Sequence, residues 1–113
     1  MRYSFNMYKD MVMDSLQAKL GEEKVRLVTI PKNNGVNLQG VQLNKGINMA
    51  CPVIYFNSSK ECYSDVDVEE FVEEAKTLFY YKETFSTEEV MTIRDWKIAR
   101  GGLRAKVVNY ETN

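Results

Sequence analysis

The stretch that most constrains this chain is residues 24–56, where three short runs, KVRLVTI, VNLQGVQL and ACPVIYF, are divided by NNG and NKG. Runs of this length are too short for a stable helix, and their β-branched residues pack well on a pleated surface, so each predicts a strand. Asn33, Asn34 and Gly35 tolerate the positive φ that tight hairpin turns demand. The chain is expected to reverse there and again at residues 44–48, giving a three-stranded antiparallel meander with the second strand in the centre. Pro52 has no amide proton to donate, so the third strand lies at an edge or begins at the proline. Val36 and Leu38 fall on one face of the second run, and Val41 and Leu43 on the other. A β-bulge at Gly40 is expected to return both pairs to one face.

Helical patterns flank these strands. From Ser4 or Asn6 to Leu20, apolar residues fall at Phe5, Tyr8, Val12, Leu16 and Leu20, Met11 broadens the stripe, and Gly21 supplies the stop. In SDVDVEEFVEEAKTLFYYKE (64–83) the stripe is Val68, Phe71, Val72, Ala75, Leu78 and Phe79, with acids in the first turns where the helix dipole favours them. A further helix is expected in STEEVMTIRDWKIARGGL (86–103), opened by Ser86 and Glu89 at capping-box spacing and carrying Met91 or Ile93, Trp96 and Ala99 until Gly101 and Gly102. LRAKVVNYETN (103–113) reads as helix or strand, with helix preferred. The predicted fold is α+β: a helix, the meander, then two or three helices packed on one sheet face, in the order α-β-β-β-α-α. The 113 residues are enough for one domain, 1–113, with one core.

The segments KNNGVNLQGV (32–41), NMACPVIYFN (48–57) and VVNYETN (107–113) together resemble the N-terminal region of a bacterial domain-of-unknown-function family encountered in gut bacteria and mobile elements. The resemblance rests on the Lys-Asn-Asn-Gly-Val hairpin at Lys32–Val36, the Leu-x-Gly step at Leu38–Gly40, the Pro-x-Ile-Tyr strand at Pro52–Tyr55 and the closing Val-Asn-x-x-x-Asn at Val108–Asn113, and so covers nearly the whole chain. Where members of that family tend to have Ile-Ser before the proline, this chain has Ala50 and Cys51, and longer members continue past the closing motif. The resemblance implies a fold rather than an activity.

Several functional classes are disfavoured by composition. The chain has no histidine, which removes the commonest general base near neutral pH and any Ser-His or Cys-His nucleophile pair. GVNLQG lacks the Lys-Ser/Thr of a phosphate loop and sits between strands rather than before a helix. A non-enzymatic role is the expectation, with no cofactor. No apolar run approaches the roughly 18 to 20 residues a bilayer span requires, and MRYSFNMYKD lacks the apolar core of a signal peptide, so a cytoplasmic protein with no membrane partner is expected. A weak metal alternative joins Cys51 and Cys62 with Asp65 and Asp67 as zinc ligands, although no Cys-x-x-Cys pair is present.

Net charge is −1, so whole-molecule electrostatics select no partner, but the distribution is uneven. From Glu61 to Ala75 the chain carries Glu61, Asp65, Asp67, Glu69, Glu70, Glu73 and Glu74 and no base. With Val68, Phe71, Val72 and Ala75 buried, these carboxylates are expected to face water and form a negative ridge, flanked by Tyr80 and Tyr81 as interface anchors. The expected function is a protein-binding domain that inhibits a basic, nucleic-acid-handling protein. Small mobile-element inhibitors of CRISPR effectors share this general character, so a CRISPR effector is one expected target. The alternative is an RNA- or DNA-binding module using Arg94, Lys97, Arg100, Arg104 and Lys106. The α-β-β-β-α order shared with double-stranded RNA-binding domains invites it, while acids at the start of the helix after the sheet oppose it.

Overall fold

A computed structural model of the chain describes residues 1–32, 34–46, 51–81, 90–99 and 101. The first helix, α1 (Phe5–Leu20), starts because the Ser4 hydroxyl accepts from the Met7 amide at 3.2 Å, meeting one of the donors a helix N-terminus leaves without a partner. It stops at Gly21, whose φ of 107° disfavours a side chain and whose amide closes on the Gln17 carbonyl at 3.0 Å. A 3-10 turn at Glu22–Lys24 leads into β1 (Val25–Pro31), then β2 (Asn37–Leu43), β3 (Val53–Tyr55), α2 (Asp65–Tyr80) and the short β4 (Val90–Met91). A last helix, α3, covers residues 93–99.

The fold is α+β in the expected order, α-β-β-β-α-α, and β1, β2 and β3 form the antiparallel meander with β2 between its neighbours. The sheet order is β1-β2-β3-β4, because β4 joins β3 in parallel. The helix expected from Ser86 therefore opens later: Val90 and Met91 are strand, and α3 is capped by a reciprocal pair. The Asp95 amide donates to the Thr92 hydroxyl at 2.9 Å and the Thr92 amide to the Asp95 carboxylate at 3.4 Å. The expected Ser86–Glu89 box, Gly102 and the segment 103–113 lie outside the described residues.

At the hairpin, Gly35 has φ 81°, and the turn closes through the Gly35 amide on the Lys32 carbonyl at 3.1 Å. The expected bulge at Gly40 is absent. Pairing runs without a skip from Val25↔Leu43 to Pro31↔Asn37 and from Gly40↔Tyr55 to Gln42↔Val53. Gly40 is required for another reason: a Cβ there would stand 2.9 Å from the Ile54 carbonyl oxygen and 3.0 Å from Tyr55 Cα, so β3 approaches β2 at a point where only glycine fits.

Regular pairing sets Val41, Leu43 and Ile54 on the inner face. There they join Tyr8, Val12 and Leu16 of α1, Phe71, Val72, Ala75 and Leu78 of α2, and Trp96 of α3 in one core. At one end four rings close together: Tyr8 stacks on Tyr63 at 4.3 Å, Phe56 stacks on Phe71 at 4.6 Å, and Tyr8 meets Phe56 edge-on at 5.7 Å.

Candidate functional site

The seven acids from Glu61 to Glu74, on α2 and the segment before it, divide into those the fold employs and those it leaves at the surface. Asp67 belongs to the first set. Its carboxylate accepts from the Ser64 amide at 2.8 Å while its own amide donates to the Ser64 hydroxyl at 3.4 Å, a reciprocal box that starts the helix. Lys60 donates to the other Asp67 oxygen at 2.8 Å. The Lys60 bond first, and then those from Ser64, hold the Asp67 carboxyl below its ordinary range. Asp65 accepts from the Tyr3 hydroxyl at 2.6 Å, which pushes the Tyr3 pKa up.

Glu74 was expected to face water with the other acids, and it does not: the residue is 6% exposed. It lies three positions after Phe71 and four before Leu78, so the 3.6-residue period places it inside the buried stripe. That spacing was visible in the sequence and was overridden by the acidic character of the run.

The outward set is Glu61, Glu69, Glu70 and Glu73, all exposed. Glu70 meets Lys97 at 3.2 Å and Glu73 meets Lys76 at 3.5 Å. Exposed pairs of this kind contribute about 0–1 kcal/mol and exchange readily with a competing cation. Along one face of α2 the sequence of residues is Val66, Glu70, Glu73, Thr77 and Tyr80, with Glu69 beside it, at the alternating spacing of four and three that keeps side chains on one stripe. Its two ends are apolar and open to water, Val66 at 70% and Tyr80 at 64% exposure. The two tyrosines expected as anchors thus separate, since Tyr81 is half-buried and packs edge-on against Trp96 at 5.3 Å.

Next to this stripe a cleft of about 770 Å³ opens between residues 56–60, the first turns of α2, and α3. Its floor includes Tyr8, Phe56 and Phe71, and its rim Lys60, Arg94 and Lys97. Tyr8 is 5% exposed as a residue, its hydroxyl is still reached by solvent, and among the described residues no group hydrogen-bonds it. Burial, and then the Asp67 charge, push the Tyr8 pKa well up, so the phenol keeps its proton and is a donor at the cleft wall. No local pattern announces this cleft, because its lining comes from five separated segments.

Of the basic cluster expected for nucleic acid, Arg94 and Lys97 share an exposed face of α3, while Arg100, Arg104 and Lys106 lie outside the described residues. Cys51 and Cys62 are both half-exposed and neither belongs to a disulfide. Among the described residues no group of three or more His, Cys, Asp or Glu side chains comes together to hold a metal. No helix among them is long and apolar enough to cross a membrane.

The class defined by these features is a small α+β domain with a charged helix face and a neighbouring cleft. The chain belongs to a family of unknown function, DUF5688, whose profile matches residues 5–113. No curated protein and no solved structure matches it.

Proposed function

We propose that this domain is a non-enzymatic protein-binding module that docks onto a basic surface of its partner through the exposed stripe of α2. The observation that carries the reading is the composition of that stripe: Glu69, Glu70 and Glu73 stand between two exposed apolar anchors, Val66 and Tyr80. Carboxylates steer a cationic partner and fix its register, and apolar residues at the ends of the patch supply contact area that charge alone lacks. A rigid helix, capped at its start by Ser64 and Asp67, presents them without an ordering cost. A nucleic-acid-handling protein, such as a CRISPR effector, offers a groove of lysines and arginines at phosphate spacing. Occupation of that groove, and so inhibition, is the specific form of the proposal.

The test compares the wild-type chain with a Glu69→Lys/Glu73→Lys variant as bait in lysate from cells that carry such effectors. Proteins retained by the wild type and lost by the variant are expected to be basic, with binding that weakens as salt is raised. Retention of the same set by both baits overturns the reading. A salt-dependent RNA or DNA titration that is abolished by Arg94→Glu/Lys97→Glu and unaffected at Glu69 and Glu73 favours the nucleic-acid alternative instead.

A further inference from the structure

We propose that the cleft between residues 56–60, α2 and α3 binds a small molecule with an apolar body and one anionic head. Its volume, about 770 Å³, lies within the roughly 300–1,000 Å³ of ligand-holding clefts, and its mixed lining of apolar floor and few polar groups has the usual character of such sites. The apolar part is supplied by Leu38, Ile93 and Ile98 over the aromatic floor, and Ile98 is 65% exposed. Ile98 carries the apolar lining from the floor out onto the open face of α3.

The charge of the head follows from the rim. Lys60 is taken by Asp67 at 2.8 Å and Lys97 shares Glu70 at 3.2 Å, whereas among the described residues no carboxylate forms an ion pair with Arg94. Arg94 precedes Lys97 by three positions on α3, so the two cations lie on one helix face beside Ile93 and Ile98. The cleft therefore holds one cation beyond its own carboxylates, and a guanidinium fork is the group best matched to a carboxylate or a phosphate. Tyr8 adds a neutral donor to the same cleft. Tyr8 lines the cleft, its hydroxyl carries its proton and is reached by solvent, and it makes no hydrogen bond among the described residues. A ligand oxygen seated in the cleft can take the place of water at this donor.

The cleft shares Glu70 with the docking stripe, but Glu69 and Glu73 do not line it, so variants at those two positions keep the tests apart. The probe is 1-anilinonaphthalene-8-sulfonate, an aromatic anion whose fluorescence rises in apolar surroundings, titrated into the full chain. One saturable site is expected. The Arg94→Glu/Lys97→Glu variant weakens binding by at least about tenfold, as expected for loss and reversal of the head's partners, and Tyr8→Phe weakens it by about two- to fivefold through loss of one donor. Both variants must melt at the wild-type temperature, since partly unfolded chains also bind this dye. Octanoate and octyl phosphate are expected to displace the probe and octanol is not, and the more effective of the two anions assigns the head. Glu69→Lys/Glu73→Lys binds the probe as the wild type does, so loss of partner docking leaves this result intact. Several probes per chain, equal binding by the Arg94/Lys97 variant, failure of both anions to displace, or displacement by octanol at the same concentration overturns the proposal.

Discussion

Two helices of equal length, α1 and α2, pack against each other yet are closed by different means. Each begins after a serine. In α1 that serine makes a single cap bond, the first turn has no acid, and the helix ends on its own glycine at 21. In α2 the serine and Asp67 cap each other, acids fill the first turn, and no basic residue stands in the last turn. Its end is held from elsewhere: the Lys45 ammonium, on the segment after β2, donates to the Leu78 carbonyl at 3.0 Å and to the Tyr81 carbonyl. Partial burial lowers the Lys45 pKa, which is the cost of placing a cation at that helix end. The difference teaches that the ends of α1 are closed by residues adjacent in sequence, its remote bond running from Lys9 in mid-helix to Gln39 of β2, whereas the ends of α2 are wired to Tyr3, Lys45 and Lys60 and its outer face to Lys97. The helix whose ends are held from remote positions is also the one whose outer face is proposed to bind.

The largest expected effect tests whether the two helices differ inside as well as at their ends. The acids of α1, Asp10 and Asp14, are both exposed, while α2 buries Glu74. Glu74→Lys is expected to lower unfolding free energy by about 2–4 kcal/mol, because it forces a longer charge into packed surroundings. Asp10→Lys and Asp14→Lys are expected to stay within about 0.5 kcal/mol of wild type. Urea unfolding at constant slope reads both. Comparable losses at all three positions would show that Glu74 stands in water, and the inner face of α2 would need redrawing.

Most of this fold was legible before any coordinates, and the reasons are local. Ser4 and Gly21 bracket α1, Gly35 marks the hairpin, and β-branched runs mark the strands, since each acts on its immediate neighbours. What sequence reasoning missed depends on distance along the chain. Gly40 read as a register device because the phase of Val36 and Leu38 against Val41 and Leu43 was weighed alone. The approach of the β3 backbone, which is what excludes a side chain, carries no signal in the residues around position 40. Val90 and Met91 were assigned to helix, and their strand character comes from a parallel edge on β3 that two residues cannot announce. At the candidate site, the exposed stripe of α2 was half legible: its carboxylates were named, but Glu74 was placed among them and Val66 was not singled out. The cleft was not legible at all, because Tyr8, Leu38, Phe56 and Arg94 become neighbours only after folding.

A middle-sized effect separates the two N-termini. Removing a serine cap costs about 0.5–2 kcal/mol, and the two helices are expected to fall at opposite ends of that range. Ser4→Ala loses one exposed bond of 3.2 Å. Ser64→Ala also loosens Asp67, and with it Lys60. Thermal melts of both variants should therefore rank Ser64→Ala as the more destabilised, by about 1 kcal/mol or more relative to Ser4→Ala. Equal melting temperatures would mean that the box at α2 works as a single cap, and that its second bond adds nothing.

The smallest expected effect is a dependence on pH, and it isolates what Asp67 adds to α2. Its folded pKa lies below the ordinary value of 3.8, so its contribution is fully present above that value and is lost as pH falls through the folded pKa. Lys60, across the same bond, has its pKa raised above 10.5, so its contribution is present below 10.5 and is lost as pH rises through the folded value. The stability gap between wild type and Asp67→Asn should accordingly be flat between these limits, narrow below about pH 4, and narrow again in strong alkali. Because the pair is largely exposed, added salt should shrink the plateau as well. A gap that persists undiminished to about pH 2 would show that the carboxylate contributes only its shape and its hydrogen-bond acceptors at the helix start, in which case the charge on this turn is free for a partner and α2 is less tied to the fold than its connections suggest.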